Sequence, residues 1–330
     1  MAAPKHFRFG IQAALPPAGL TWVELARKVE SLGYDTLTVS DHLDNQYAPT
    51  PALMAAADAT TTLRVGSLTY AIDYHHPVVL AKEAATIDVL SGGRFEFGLG
   101  AGWQTTDYEQ AGIPLDRPGV RIARLAEALD VITGLWADEP CTFEGRHYTV
   151  RDLDGFPKPT RRTGLSKNAG LSTRSGMASR PGPPILIGGG GRKVLTLAAQ
   201  RADIIGLNIA LAAGRIDEQA GPSATHEATL EKIDWIREAA GDRFDAIELQ
   251  VRVHLAAITD DRPGMAEALG PSLGLTPAQA LESPHALAGT VDEIVEQCLE
   301  RRARYGISYI GLSCDAIDAM APVVDRLAGA

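Results

Sequence analysis

The sequence predicts an α/β fold in which eight βα units close into one (β/α)8 TIM barrel spanning residues 1–330. Three observations carry that expectation. Short apolar runs rich in Val, Ile, Leu and Phe alternate with amphipathic helical stretches, the pattern of repeated βα units on a parallel sheet. About eight such units can be counted, the number that closes a barrel. The doubly wound alternative lacks its dinucleotide fingerprint: Gly98-Leu99-Gly100 continues as Ala101-Gly102-Trp103, with no glycine in the third place.

In chain order, the strand candidates are 8–12, 36–40, 64–70, 94–100, 184–188, 204–209, 248–257 and 308–313, each bounded by Gly, Pro or polar residues. Helical periodicity is clearest over 22–32, 78–90, 121–135, 229–240 and 291–305. Four of these stretches are followed by Gly33, Gly93, Gly241 and Gly306, candidate C-caps. Two segments interrupt the alternation, about 138–183 and about 260–287, and both are expected as insertions at the C-terminal mouth of the barrel. Within the first, 157–183 contains six Lys or Arg and no acid, which fits either a solvated loop or a lid over an anionic ligand.

Composition narrows the function classes. With 330 residues, 45% hydrophobic and 22% charged, the chain has ample apolar material for a large core. The first residues lack a signal-peptide pattern and no stretch approaches 18 apolar residues, so a cytoplasmic protein away from membranes is expected. Cys141, Cys298 and Cys314 are odd in number, far apart and without CxxC spacing, so neither a disulfide framework nor a thiolate zinc site is expected. A formal charge of −10 argues against nucleic acid as a partner, and a small-molecule substrate becomes the expectation.

Four clusters could carry chemistry. Ser40-Asp41-His42 ends the second strand, at the rim where barrels place catalysis. Histidine titrates near neutrality and a carboxylate tunes it, although a strand-end Asp-His also serves as a purely structural pair. Gly188-Gly189-Gly190-Gly191-Arg192-Lys193-Val194 follows an apolar strand and opens a helix, an order that suits a phosphate because unpaired N–H groups and the helix dipole face it. Phe97-Gly98-Leu99-Gly100-Ala101-Gly102-Trp103 leaves room for a flat ring beside Trp103, or relieves crowding in the barrel. Finally, 66–70 leads to Asp73-Tyr74-His75-His76-Pro77, where paired histidines without a third ligand read as a capping feature, and no metal is expected.

Taken together, these motifs resemble the luciferase-like monooxygenase superfamily, and within it the actinobacterial branch that depends on coenzyme F420. The resemblance spans nearly the whole chain. It rests on Leu32-Gly33-Tyr34-Asp35, Ser40-Asp41-His42, 80–88 with Leu90-Ser91-Gly92-Gly93-Arg94, and 98–103, and further on Gly134-Leu135-Trp136, 143–148 and 185–191.

The resemblance implies a deazaflavin across the barrel mouth, resting on a non-prolyl cis peptide at Leu68-Thr69. It implies Ala101, Gly102 and Thr106 along the ring edge, and the backbone at Gly190, Gly191, Lys193 and Val194 around the phosphate. His42 is implied as proton donor or acceptor with Asp41 beside it, in catalysis and at the cofactor. Gln12, Tyr70 and Trp103 are the candidates for the substrate side. Carbon replaces the flavin N5 in this coenzyme, which favours hydride transfer over oxygen chemistry. Three readings follow: a reductase using reduced coenzyme F420 (or the reverse dehydrogenase), an FMN-dependent monooxygenase of the same fold, and a non-catalytic flavin-binding barrel. A homodimer is also implied. Two departures matter: the family's sugar-phosphate dehydrogenases carry a glutamate where Trp103 stands, so that activity is not implied, and the basic segment is longer than the usual connection.

Overall fold

The computed structural model describes residues 5–160, 182–211, 214–215 and 218–330. Eight strands, Arg8–Gln12, Thr36–Val39, Arg64–Ser67, Phe95–Gly100, Ile185–Gly189, Ile204–Leu207, Glu248–Arg252 and Ile307–Ser313, each pair in parallel with the next. The first pairs with the eighth, Gln12 opposite Ser313, and the third meets the fourth through Val65↔Phe95 and Gly66↔Glu96, so the sheet is a closed barrel. Parallel strands covered on both faces are expected to be almost uniformly apolar, and these are nearly all buried. The main core lies between them and the surrounding helices.

The helices start and stop where local chemistry says they should. Thr21 and Glu24 form a capping box at Trp22–Ser31, and Thr290 with Glu293 does the same for Val291–Tyr305, which ends on Gly306 in the left-handed conformation. No helix among the described residues is long and apolar enough to cross a membrane.

At the N-terminal end the barrel is filled by charge. Arg8 donates to Glu248 at 2.8 Å, to Glu96 and to Thr36, and its guanidinium lies 4.5 Å from the Tyr309 ring centre. Burial opposes the Arg8 charge, but Glu248 and Glu96 outweigh it and hold the guanidinium well above its ordinary pKa. Arg64 adds a second bond to Glu96 at 2.7 Å. A layer above, small residues bring the strands close. A Cβ on Gly98 would stand 1.9 Å from the Ser67 carbonyl oxygen, so only glycine fits there.

Two expectations are corrected. The run 64–70 is two strands, Arg64–Ser67 and Tyr70–Ala71, with the cis Leu68-Thr69 peptide between them. The run 248–257 also divides. Only Glu248–Arg252 stays in the barrel, while Leu255–Ile258 leaves to pair in parallel with Ala286–Gly289. The turn bends away at His254, whose N–H donates to the His285 carbonyl. Beyond the stretches of clearest periodicity, helices at Pro49–Ala59, Thr105–Ala111, Arg192–Arg201 and Ile317–Leu327 add to the surround.

The segment 138–183 begins with an antiparallel hairpin, Cys141–Glu144 with Thr149–Leu153. Its turn is held by Glu127, which accepts from the N–H groups of Arg146, His147 and Tyr148. Most of the basic stretch, 161–181, lies outside the described residues, and the lid expectation with it. The segment 260–287 holds the helices Arg262–Leu269 and Pro277–Glu282 before the returning strand.

Candidate active site

The C-terminal strand ends put His42 on the loop after strand two, half-buried at the rim. Its Nδ1 lies 2.8 Å from Oδ2 of Asp107, which is buried in the first turn of the helix Thr105–Ala111. Asp107 also accepts from the Leu43 N–H at 3.3 Å, the Tyr74 hydroxyl at 3.2 Å and the Gln104 amide at 3.1 Å. A carboxylate saturated in this way favours the tautomer with hydrogen on Nδ1 and leaves Nε2 free. Trp103 stands edge-on to the imidazole, ring centres 5.4 Å apart at 89°.

Asp41 does something else. Its Oδ2 accepts from the Ala71 N–H at 3.0 Å and pairs with His75 Nε2 at 2.7 Å, so the carboxylate expected beside His42 instead fastens the strand beyond the cis peptide. Residue spacing missed Asp107, because an acid in the first turn of a short helix reads as a dipole partner and nothing more. His76 caps the helix Pro77–Leu90 through Nδ1, which accepts from Val78 N–H at 3.3 Å.

The cis Leu68-Thr69 peptide forms the floor. Gln12 of strand one reaches the Leu68 carbonyl at 3.5 Å, and Leu68 N–H donates to Val39 at 2.8 Å. Thr69 lies between two glycines: a Cβ on Gly100 would meet its Oγ1 at 2.4 Å and one on Gly188 its Cγ2 at 3.8 Å. Tyr70 is the clearest correction among the substrate candidates. It is 1% exposed, its hydroxyl bonds Thr50 at 2.8 Å, and its ring packs on Phe97 and His75, so it faces the helices and not the mouth.

Ala101 and Gly102 form the neighbouring rim, their carbonyls gripped by Arg121 at 3.4 and 2.6 Å. Gly102 has φ +71°, and a Cβ there would collide with the Tyr108 hydroxyl at 1.7 Å. Thr106 is exposed on the following helix.

The glycine run after strand five divides by role. A Cβ on Gly190 would lie 2.5 Å from the Ile209 carbonyl group, so that glycine is required by backbone packing against the loop after strand six. A Cβ on Gly191 would have no neighbour within 4 Å beyond the adjoining chain. Gly191 is the N-cap of the helix Arg192–Arg201, with extended backbone and no side chain to bond the first turn. The N–H groups of Arg192, Lys193 and Val194 therefore have no helical acceptor and face open space. Val194 packs back on Gly189, while Lys193 is exposed with Nζ 3.9 Å from a Cβ placed on Gly119. An open anion cradle beside a floor of small residues and a cis peptide fits a flat ring that carries a phosphate.

A family model described as luciferase-like monooxygenase matches residues 11–308 of the chain. The F420-dependent glucose-6-phosphate dehydrogenase of Nakamurella multipartita is 28% identical over 312 residues, covering 90% of this chain and 83% of that protein. The 4-hydroxyprotoasukamycin monooxygenase of Streptomyces nodosus subsp. asukaensis is 34% identical over 148 residues, 43% of this chain and 39% of that protein. Among solved structures, the coenzyme F420 dependent tetrahydromethanopterin reductase from Methanopyrus kandleri superposes with a TM-score of 0.69 at 18% identity, covering 98% of this chain and 99% of that one, a likeness of fold.

Proposed function

The chain belongs to the luciferase-like monooxygenase family, and from that premise we propose that it is a coenzyme F420-dependent oxidoreductase, a reductase of a small organic substrate or the reverse dehydrogenase. The observation that carries the proposal is the meeting, at one barrel mouth, of a seat for a phosphorylated flat ring with an imidazole held by a buried carboxylate. Similarity to an F420-dependent dehydrogenase along 90% of the chain supports the coenzyme. When bound, the deazaflavin supplies or accepts a hydride at the carbon that replaces the flavin N5.

The chain's own work is binding, orientation and proton supply. The N–H groups at Lys193 and Val194, with Gly190 and Gly191 beside them, hold the phosphate, and the cis peptide with Ala101 and Gly102 supports the ring. His42 Nε2 gives up or takes the proton that accompanies the hydride. Asp107 fixes the tautomer and orients the ring, and an acid-base group so placed is typically worth on the order of 10²–10⁴ in rate. Trp103, beside His42, borders the substrate.

Purified protein titrated separately with coenzyme F420 and with FMN, followed by fluorescence quenching, tests the proposal. Binding of F420 at least about tenfold tighter than FMN is expected. Preference for FMN, with turnover that requires air, supports instead the monooxygenase reading, for which the streptomycete relative is the specific observation. Turnover untouched by His42→Ala would leave a carrier without chemistry. The proposal includes a cytoplasmic homodimer, tested by light scattering on the purified protein.

A further inference from the structure

Arg8 and Arg64 are bonded to glutamates at the base of this barrel; Arg252, higher up, is bonded to none among the described residues. Along strand seven, Glu248 bonds Arg8 and Gln250 reaches between Gly206 and Gly311, so both face inward; the two-residue alternation puts Arg252 on the same face one layer higher. Arg252 Nη2 donates to Ser313 Oγ at 2.6 Å and Nη1 to the Val253 carbonyl at 3.2 Å. Ser313 ends strand eight opposite Gln12, the residue that reaches the Leu68 carbonyl, so the guanidinium stands level with the cis peptide.

Arg8, at the other end, has two glutamates against it. Arg252 has no carboxylate bonded to it among the described residues, and its Nε–H has no partner there. The acid whose charge reaches it is Asp315, exposed beyond strand eight. Burial prevails over that attraction and brings the guanidinium down to about 10, still cationic at neutral pH. His254 bonds Asn208 at 3.2 Å and is kept neutral, pushed down to about 4 by burial and the Arg252 charge. Behind them Lys232 donates to the carbonyls of Asn208 and Ser223 at 2.9 and 2.6 Å. The opposite wall, by contrast, supplies Asp41 and Asp107. A half-buried cation with no carboxylate bonded to it among the described residues is costly in an apoprotein and is completed when an anion arrives.

We propose that Arg252 is the anchor for a carboxylate of the substrate, which makes the substrates of this site small organic acids. The carboxylate lies on the side of strands seven and eight and the reacting carbon toward His42, with strands one and eight between the two groups. Arginine suits the role because its planar fork grips a carboxylate through two N–H groups. The inference rests on the proposed function only in assigning the reacting carbon; the anion site itself does not require the coenzyme.

The test compares benzoate and succinate with their amides, benzamide and succinamide, by calorimetry on the protein with and without coenzyme F420. Expected is a preference for each acid over its amide of at least about tenfold, the usual scale of one charge-assisted contact, lost in Arg252→Gln and partly retained in Arg252→Lys. Coenzyme affinity should change less than about twofold in both variants. Circular dichroism checks folding; should Arg252→Gln fail to fold, Ser313→Ala, which removes the bond that aims the guanidinium, takes its place with a smaller loss expected. Acids and amides binding alike, or a preference that survives Arg252→Gln, overturns the proposal. So does a variant that loses the coenzyme while keeping the acid preference, since the guanidinium would then serve the ring. If coenzyme F420 fails to bind the wild type at all, the coenzyme reading falls, and the coenzyme-free titration still decides the carboxylate site.

Discussion

Gly191→Asp should make the protein more stable and nearly unable to hold its coenzyme. The position has extended backbone, is the N-cap of Arg192–Arg201, and has nothing within 4 Å of an added Cβ, so aspartate enters without strain. Its carboxylate would accept from the N–H groups of Lys193 or Val194, the ordinary N-cap bond. Over glycine that bond adds a few tenths of a kcal/mol, and the charge on the helix dipole adds about 0.3–1 more. A gain of about 1 kcal/mol corresponds to a rise of about 1–2 °C in melting temperature for a chain of this length. The same N–H groups are the proposed phosphate ligands. Losing two charge-assisted bonds of about 1.5–3 kcal/mol each weakens coenzyme F420 binding by about 3–6 kcal/mol, on the order of 10²–10⁴-fold, before repulsion between the two anions is counted. Calorimetric melting and a fluorescence titration read the two effects on one sample. Gly190→Ala is the contrast, because its Cβ meets the Ile209 carbonyl group at 2.5 Å and should destabilise by about 1–3 kcal/mol. Coenzyme affinity in Gly191→Asp within about threefold of wild type would refute the phosphate cradle.

Further outcomes follow from other parts of the structure. His42→Ala and Asp107→Asn should each lower kcat by about 10²–10⁴ with coenzyme affinity unchanged; equal losses of affinity in the titration would make the pair structural. Arg8→Gln leaves Glu248 without its bonded cation, while Glu96 keeps Arg64, and should cost about 3–5 kcal/mol in urea unfolding; a loss below about 1 kcal/mol contradicts the pairing. His285 is pushed down to about 3, first by burial and then by Lys232, and His254 to about 4, first by burial and then by Arg252. Because the folded state lowers both from 6.5, their contribution is fully present above that pH and is lost as pH falls toward 4 and 3. Melting temperature should therefore drop between pH 6.5 and 4, less steeply in His285→Gln; equal slopes in variant and wild type would remove these histidines from the account.

The barrel was legible because strands buried on both faces are continuous apolar runs, and capped helices such as Val291–Tyr305 announce both ends. Pro49–Ala59 was not, since a helix of proline and alanine, apolar on most sides, has no period to read. The run 248–257 looked uniform because Leu255–Ile258 keeps a strand's composition after it leaves the barrel, and its partner Ala286–Gly289 lies in a distant part of the chain. At the site, the position of His42 followed from a strand end. The carboxylate that faces it is 65 residues away in sequence, so local spacing favoured the adjacent Asp41. Tyr70 was misplaced because the interruption at Leu68-Thr69 resets the alternation, and a side chain counted toward the mouth turns to Thr50 and Phe97. The strand-glycines-helix order of the run was legible, but the space around each glycine, which separates Gly190 from Gly191, belongs to neighbours no local pattern contains.

The buried knot of Arg8, Glu96 and Glu248 makes the barrel a cup with a stopper in its base. Among the described residues, whatever reaches the strand ends from the mouth cannot leave through that base. Two guests that share such a vessel form a queue: the one on the floor must arrive before the one above it, and cannot depart until the other has gone. For this chain, a ring resting on Leu68-Thr69 would be the first in and the last out, and exchange of the spent coenzyme would wait on the departure of the product.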